Sequence, residues 1–129
     1  MPVNLIAAVG NRGQLGFEGE LPWYAPEDLT WFRKMTMGDA VVVGFNTAEL
    51  LPNLDGRYVH VMQRGETPES VLADDFLKWG EFSALWVAGG AKTYKQWLPF
   101  VQRVYISRID YDGPADAYMP QLWWKGDTE

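Results

Sequence analysis

Asp28 is the most chemically pointed residue in this sequence. It falls in the first turn of an expected helix opening at Pro26, on the side that carries Phe32 and Met35, with Leu29 adjoining. A carboxylate on such a face costs several kcal/mol if buried without partners. Two readings stand. Asp28 caps the helix or complements its dipole, or it grips a ligand donor in a semi-apolar pocket, where burial would raise its pKa toward a proton-handling range. Glu27 falls on the polar side. Gly89-Gly90 follows an apolar run and precedes a helical stretch. The pair lets backbone approach a ligand closely and exposes helix amides to phosphate, or it is a tight strand–helix turn. Gly44 with Thr47 repeats that arrangement, and Thr47 is either a ligand contact or a cap. Arg57 follows an Asp55-Gly56 turn and is either solvated or set for bidentate capture of a carboxylate. Arg64 stands similarly for a phosphate. His60 reads as structural, and the tryptophans read as core, with Trp23 the exception.

These residues need a scaffold. An apolar run over 3–9 predicts a buried strand that turns at Gly10, followed by a glycine-rich loop over 13–24. Helices are expected over 26–35, 46–51, 67–79 and 91–98, and strands over 39–44, 58–62, 84–88 and 101–110. Strands alternating with helices predict an α/β fold with a mostly parallel central sheet flanked by helices, and ligands at the carboxyl ends of its strands. Three turns leave those ends, after Val9, Val43 and Ala88.

The chain of 129 residues predicts one domain over 1–129. With 47% hydrophobic residues it can build a core, and it carries no long apolar run that would span a membrane. There are no cysteines and one histidine, so thiolate chemistry is excluded and no metal site is expected; the expected compartment is cytoplasmic. A net charge of −6 argues against a nucleic-acid partner.

Taken in order, the series Leu5-Ile6-Ala7-Ala8, Gly16, Leu21-Pro22-Trp23, Asp28-Leu29, Phe32, Gly44, Thr47, Gly56-Arg57, Val87-Ala88-Gly89-Gly90, Tyr94, Leu98-Pro99, and Ile109-Asp110 to Asp116 resembles the dihydrofolate reductase family. The resemblance covers about residues 3–120. It implies reduction of 7,8-dihydrofolate by NADPH. Asp28 would bind the pterin and support protonation of N5, with Trp23 and Ser107 completing the catalytic group. Ile6, Ala8, Leu29, Phe32, Leu51 and Ala88 would line the folate pocket, and Arg57 would hold the glutamate carboxylate. Ala8, Gly16, Gly44, Thr47, Arg64, Gly89, Gly90, Ala91 and Tyr94 would contact the cofactor, with Gly89-Gly90 joined by a cis peptide. Residues 13–23 would form a mobile loop latched by Asp116.

Some positions depart from the family's pattern. Phe45 stands where the family usually has a basic residue for the cofactor phosphates, and Arg64 would compensate. Ala88 replaces a larger aliphatic residue, and Ala48 a tryptophan. The stretch between Arg64 and Ala84 is short, so a peripheral strand is expected to be missing. The family continues into a terminal β-hairpin, which predicts a short member truncated at the C-terminus. The strand over 101–110 would then be an exposed edge, covered by Trp123-Trp124 or by self-association into a homo-oligomer. Two other readings are a same-fold reductase of another pterin or pyrimidinone, and a non-catalytic protein that keeps the fold.

Overall fold

Strand β1 (Val3–Val9) is apolar except for Asn4, as a strand covered on both faces must be. The computed structural model, which describes residues 1–16, 21–23, 25–49, 51, 54–74, 77 and 80–120, sets β1 inside a parallel sheet. The other strands of this sheet are β3 (Ala40–Gly44), β4 (Tyr58–Met62), β5 (Leu85–Val87) and β6 (Arg103–Arg108), in the order β4-β3-β5-β1-β6. A separate antiparallel pair joins β2 (Gln14–Gly16) to β7 (Ala117–Tyr118).

Alternation along the strands sends side chains to two cores. Leu5, Ala7 and Val9 of β1 join Ala40, Val42, Leu85 and Val87 on one face. There they meet Val71 of α3 (Pro68–Leu72) and Tyr94 and Trp97 of α4 (Ala91–Trp97). Ile6, Val41 and Trp86 point the other way, toward Trp31, Phe32 and Met35 of α1 (Pro26–Thr36). Helices thus cover both faces, as the alternating pattern predicts. Pro26 opens α1, where its missing N–H removes no helical bond. Thr67 and Ser70 cap α3 reciprocally.

Several boundaries differ from expectation. The loop over 13–24 contains β2, because the Gly16 carbonyl accepts from Asp116 N at 2.9 Å and the Gly13 carbonyl from Met119 N at 2.8 Å. Residues 17–20 and 24 of that loop lie outside the described residues. The helix expected over 46–51 is α2 (Phe45–Ala48), one turn only. The helix expected over 67–79 is described as Pro68–Leu72, and residues 75, 76, 78 and 79 lie outside the described residues. The end of the helix expected over 91–98 tightens into a 3₁₀ turn, Leu98–Phe100. Asp39 ends no strand: its carboxylate accepts from Ser83 N and Trp86 Nε1, both at 3.0 Å. Among the described residues no strand lies between β4 and β5, and no helix is long and apolar enough to cross a membrane. Among the described residues β6 ends the sheet on its side, with Arg103 and Arg108 exposed; Trp123 and Trp124 lie outside the described residues.

Candidate active site

Parallel sheets open where neighbouring strands part at their carboxyl ends. Here β1 stays in register with β6 as far as Val9↔Arg108, but with β5 only as far as Leu5↔Val87. The unpaired side of β1 past Leu5 borders a cleft of about 250 Å³. Ile6, Ala7 and Ala8 form its floor, Ala88, Gly89 and Gly90 one wall, and Asp28, Leu29, Trp31 and Phe32 of α1 the other. Leu15, Gly16, Asp116 and Ala117, from β2, β7 and the residue before β7, close one end. The lining is mostly apolar, with Asp116 at the end and one acidic group on the α1 wall.

That group is Asp28. Ser107, opposite Ala8 in the β1–β6 register, hydrogen-bonds the carboxyl. The Oδ1 atom is buried and has no hydrogen-bond partner among the described residues. Burial holds the Asp28 pKa above the ordinary carboxylate value, and the Ser107 bond opposes the rise. A partnerless buried acceptor in an apolar cleft is suited to a ligand that brings a donor.

Tyr94 is buried below the cleft and donates to the Ile6 carbonyl at 2.8 Å. Burial, and secondarily the charge of Asp28, push its pKa upward. The Gly89-Gly90 peptide is cis, and Gly89 has φ +114°, a conformation that disfavours side chains. The Gly89 carbonyl accepts from Gly44 N at 2.7 Å, which draws the ends of β3 and β5 together. A Cβ on Gly44 would come within 2.6 Å of Thr93 Oγ1.

A second cleft, about 690 Å³, adjoins the first and shares Asn46, Thr47, Gly90 and Ala91 with it. It is polar: Arg64 and Lys92 supply cations, Gln63 and Gln96 amides, and Glu66 a carboxylate. Phe45, 60% exposed, lies on its edge. An apolar slot continuous with a cationic trough fits a ligand with a flat ring at one end and phosphates at the other.

The chain matches the dihydrofolate reductase family model over residues 2–126. It is 32% identical over 137 residues to the dihydrofolate reductase of Buchnera aphidicola from Acyrthosiphon pisum, covering 97% of this chain and 85% of that one. It is 30% identical over 132 residues to the dihydrofolate reductase of Haemophilus influenzae, with 97% and 82% covered. It is also 33% identical over 132 residues to the dihydromethanopterin reductase of Methylorubrum extorquens, with 96% and 94% covered. This chain belongs to the dihydrofolate reductase family. It is an enzyme of that family, whose members work with a nicotinamide cofactor.

Most residues singled out from the resemblance converge. Ile6, Ala8, Gly16, Asp28, Leu29, Phe32, Thr47, Leu51, Ala88, Gly89, Gly90, Ala91, Tyr94 and Asp116 all line the first cleft. Gly44 and Arg64 line the second. Three stand back from both. Ser107 reaches the site through Asp28. Trp23 packs edge-on against Tyr111, ring centres 5.5 Å apart. Arg57 sits behind Phe32, its guanidinium 5.9 Å from the ring centre, and donates to Thr36 Oγ1 at 3.2 Å. Burial, then the charge of Arg33, lower its pKa, and Asp55 opposes them.

Sequence reading missed Leu15, Trp31 and Asn46 on the first cleft and Glu66, Lys92 and Gln96 on the second. Trp31 was findable, since it follows Asp28 by one helical turn. The others sit on turns and short elements that have no period to read. His60, read as structural, has a partner: its Nε2 meets both Glu66 carboxylate oxygens.

Proposed function

We propose that this enzyme, as one domain over residues 1–129, reduces 7,8-dihydrofolate to tetrahydrofolate with NADPH. The observation that carries this reading is the buried, partnerless Oδ1 of Asp28 in a mostly apolar cleft. The amino and ring N–H donors of a pterin answer that acceptor, and the ring faces match Ile6, Leu29 and Phe32. When bound, the reduced nicotinamide supplies the hydride. Residues shared by the two clefts, Thr47 and Gly90 among them, would hold it beside the pterin, with Arg64 and Lys92 toward its phosphates.

The chain's own groups then manage the proton. Burial keeps Asp28 more basic than a solvated carboxylate, so it can help deliver a proton to N5 through water. Ser107 fixes the carboxyl's orientation. Leu15, Gly16 and Asp116 close one end of the cleft, and shedding water there favours hydride transfer over side reactions. Asp116, whose N–H bonds the Gly16 carbonyl at 2.9 Å, latches the loop that follows β2. Trp23 steadies that loop through Tyr111.

A second reading, reduction of another dihydropterin, is favoured by the dihydromethanopterin reductase relative, 94% of which aligns. Arg57 separates the two, because a substrate with a glutamate tail gives it a carboxylate to hold. The test is oxidation of NADPH by purified protein with dihydrofolate, against an Asp28→Asn control. Turnover that depends on dihydrofolate and falls in the variant is expected. Turnover with a tail-less dihydropterin but none with dihydrofolate would transfer the reading to the second class.

A further inference from the structure

The polar cleft has one acidic side chain on its described wall, Glu66, and a carboxylate there should repel phosphate. Glu66 is nonetheless held in place from four directions. Both carboxylate oxygens meet His60 Nε2, at 3.1 and 3.0 Å, and Oε1 also accepts from Gln63 N at 2.7 Å. Its backbone N–H reaches the Gln63 carbonyl at 3.1 Å, and its carbonyl accepts from Gln96 Nε2 of α4 at 3.3 Å. These bonds close the 63–66 turn, which carries Arg64, and tie it to α4.

His60 belongs to the middle of β4, in a strand of otherwise uncharged residues, yet its ring is spent on this turn rather than on the core. No other imidazole exists in the chain. Of the elements around β4, β3 and α2 carry no titratable side chain, α3 carries Glu69, and α4 carries Lys92, Tyr94 and Lys95. Among the described residues, the side-chain hydrogen-bond partner of His60 is Glu66.

We propose that His60 is a positioning residue for the cofactor cleft: by pairing with Glu66 it offsets the carboxylate's charge and fixes the turn that presents Arg64 to an anionic ligand. An imidazole N–H offsets that charge in part, and a protonated ring does so in full. The ligand class is a dinucleotide carrying an additional phosphate. The inference rests on the reading above that this cleft takes the phosphates of NADPH.

The experiment is equilibrium binding of NADPH and NADH, followed by quenching of protein fluorescence, for the intact chain and four variants. His60→Gln keeps a donor but removes the imidazole that meets both Glu66 carboxylate oxygens. It should weaken NADPH about fivefold and NADH by less, because the extra phosphate feels the bared carboxylate most. Glu66→Gln should not weaken NADPH, and the double variant should bind as Glu66→Gln does, since His60 then has no charge to offset. If His60→Gln does not fold, Glu66→Gln carries the test alone. Loss of NADPH affinity in Glu66→Gln, or none in a folded His60→Gln, overturns the proposal. An Arg64→Ala variant separates the two levels. If it binds NADPH unchanged, the assignment of the cleft fails and the role of His60 falls with it. If it weakens NADPH while His60→Gln does not, only the role of His60 fails.

Discussion

The hydroxyl of Tyr94, on α4, donates to the carbonyl of Ile6, on β1, at the point where β1 has left the register of β5. The bond satisfies a strand carbonyl beside the cleft without closing the cleft. Tyr94→Phe leaves that carbonyl without its donor. It should destabilise the fold by about 1–3 kcal/mol, read as a lower midpoint in denaturant with an unchanged slope. An unchanged midpoint would mean that water replaces the hydroxyl at no cost.

Asp28→Asn should lower turnover by about 10²- to 10⁴-fold, the usual range for a positioned proton-transfer group. Stability should move the other way. Burial holds the folded pKa of Asp28 above the unfolded one, so the folded chain binds this proton more tightly. The ionised carboxylate therefore detracts from stability above its folded pKa, and the deficit is relieved as pH falls through that value. The variant should match or exceed the parent in melting temperature at neutral pH, and the difference should vanish in acid. A variant less stable at neutral pH would show that the Ser107 bond outweighs burial.

Arg57 lies behind Phe32, anchored on Thr36. For a substrate ending in a carboxylate, Arg57→Ala should raise KM for that substrate by one to two orders of magnitude, about 1.4–2.8 kcal/mol. KM for NADPH should stay near the parent value, as should KM for a dihydropterin lacking the tail. A parallel rise in all three would make the arginine a prop for Phe32.

Gly44 is where β3 meets the Gly89 carbonyl, and a side chain there has no room beside the buried Thr93. Gly44→Ala should destabilise by about 1–3 kcal/mol, the usual range for overpacking. Thr93→Ala in the same chain should recover part of that loss, because the clashing oxygen is gone. No recovery would move the cause to the backbone contact with Gly89.

Much of this was legible in the sequence, and the reason is periodicity. The runs around Leu5, Val42 and Trp86 are apolar on both faces, which only a strand covered on both sides requires, and they form the central strands of the sheet. Asp28, Phe32 and Met35 share a helical face, and the structure puts that face on the sheet. What was not legible has no period. Gln14–Gly16 and Ala117–Tyr118 are too short to alternate visibly, and they pair only because Asp116 and Met119 bond the backbone at Gly16 and Gly13. The bond between His60 and Glu66 depends on where a turn folds back, which local spacing does not encode. Arg57 could be matched to a role by resemblance, but its seat behind Phe32 depends on where α1 places Phe32 and Thr36 relative to the turn before β4.

Asn46, Thr47, Gly90 and Ala91 belong to both clefts. Occupants of the two clefts therefore lean on the same wall, and whatever one of them does to the wall the other inherits. Thermodynamic reciprocity then requires that the factor by which the first occupant changes the affinity of the second equal the factor in reverse. A substitution at Thr47 cannot be scored against one ligand alone, and its effect on that coupling factor is as much a property of the enzyme as either affinity.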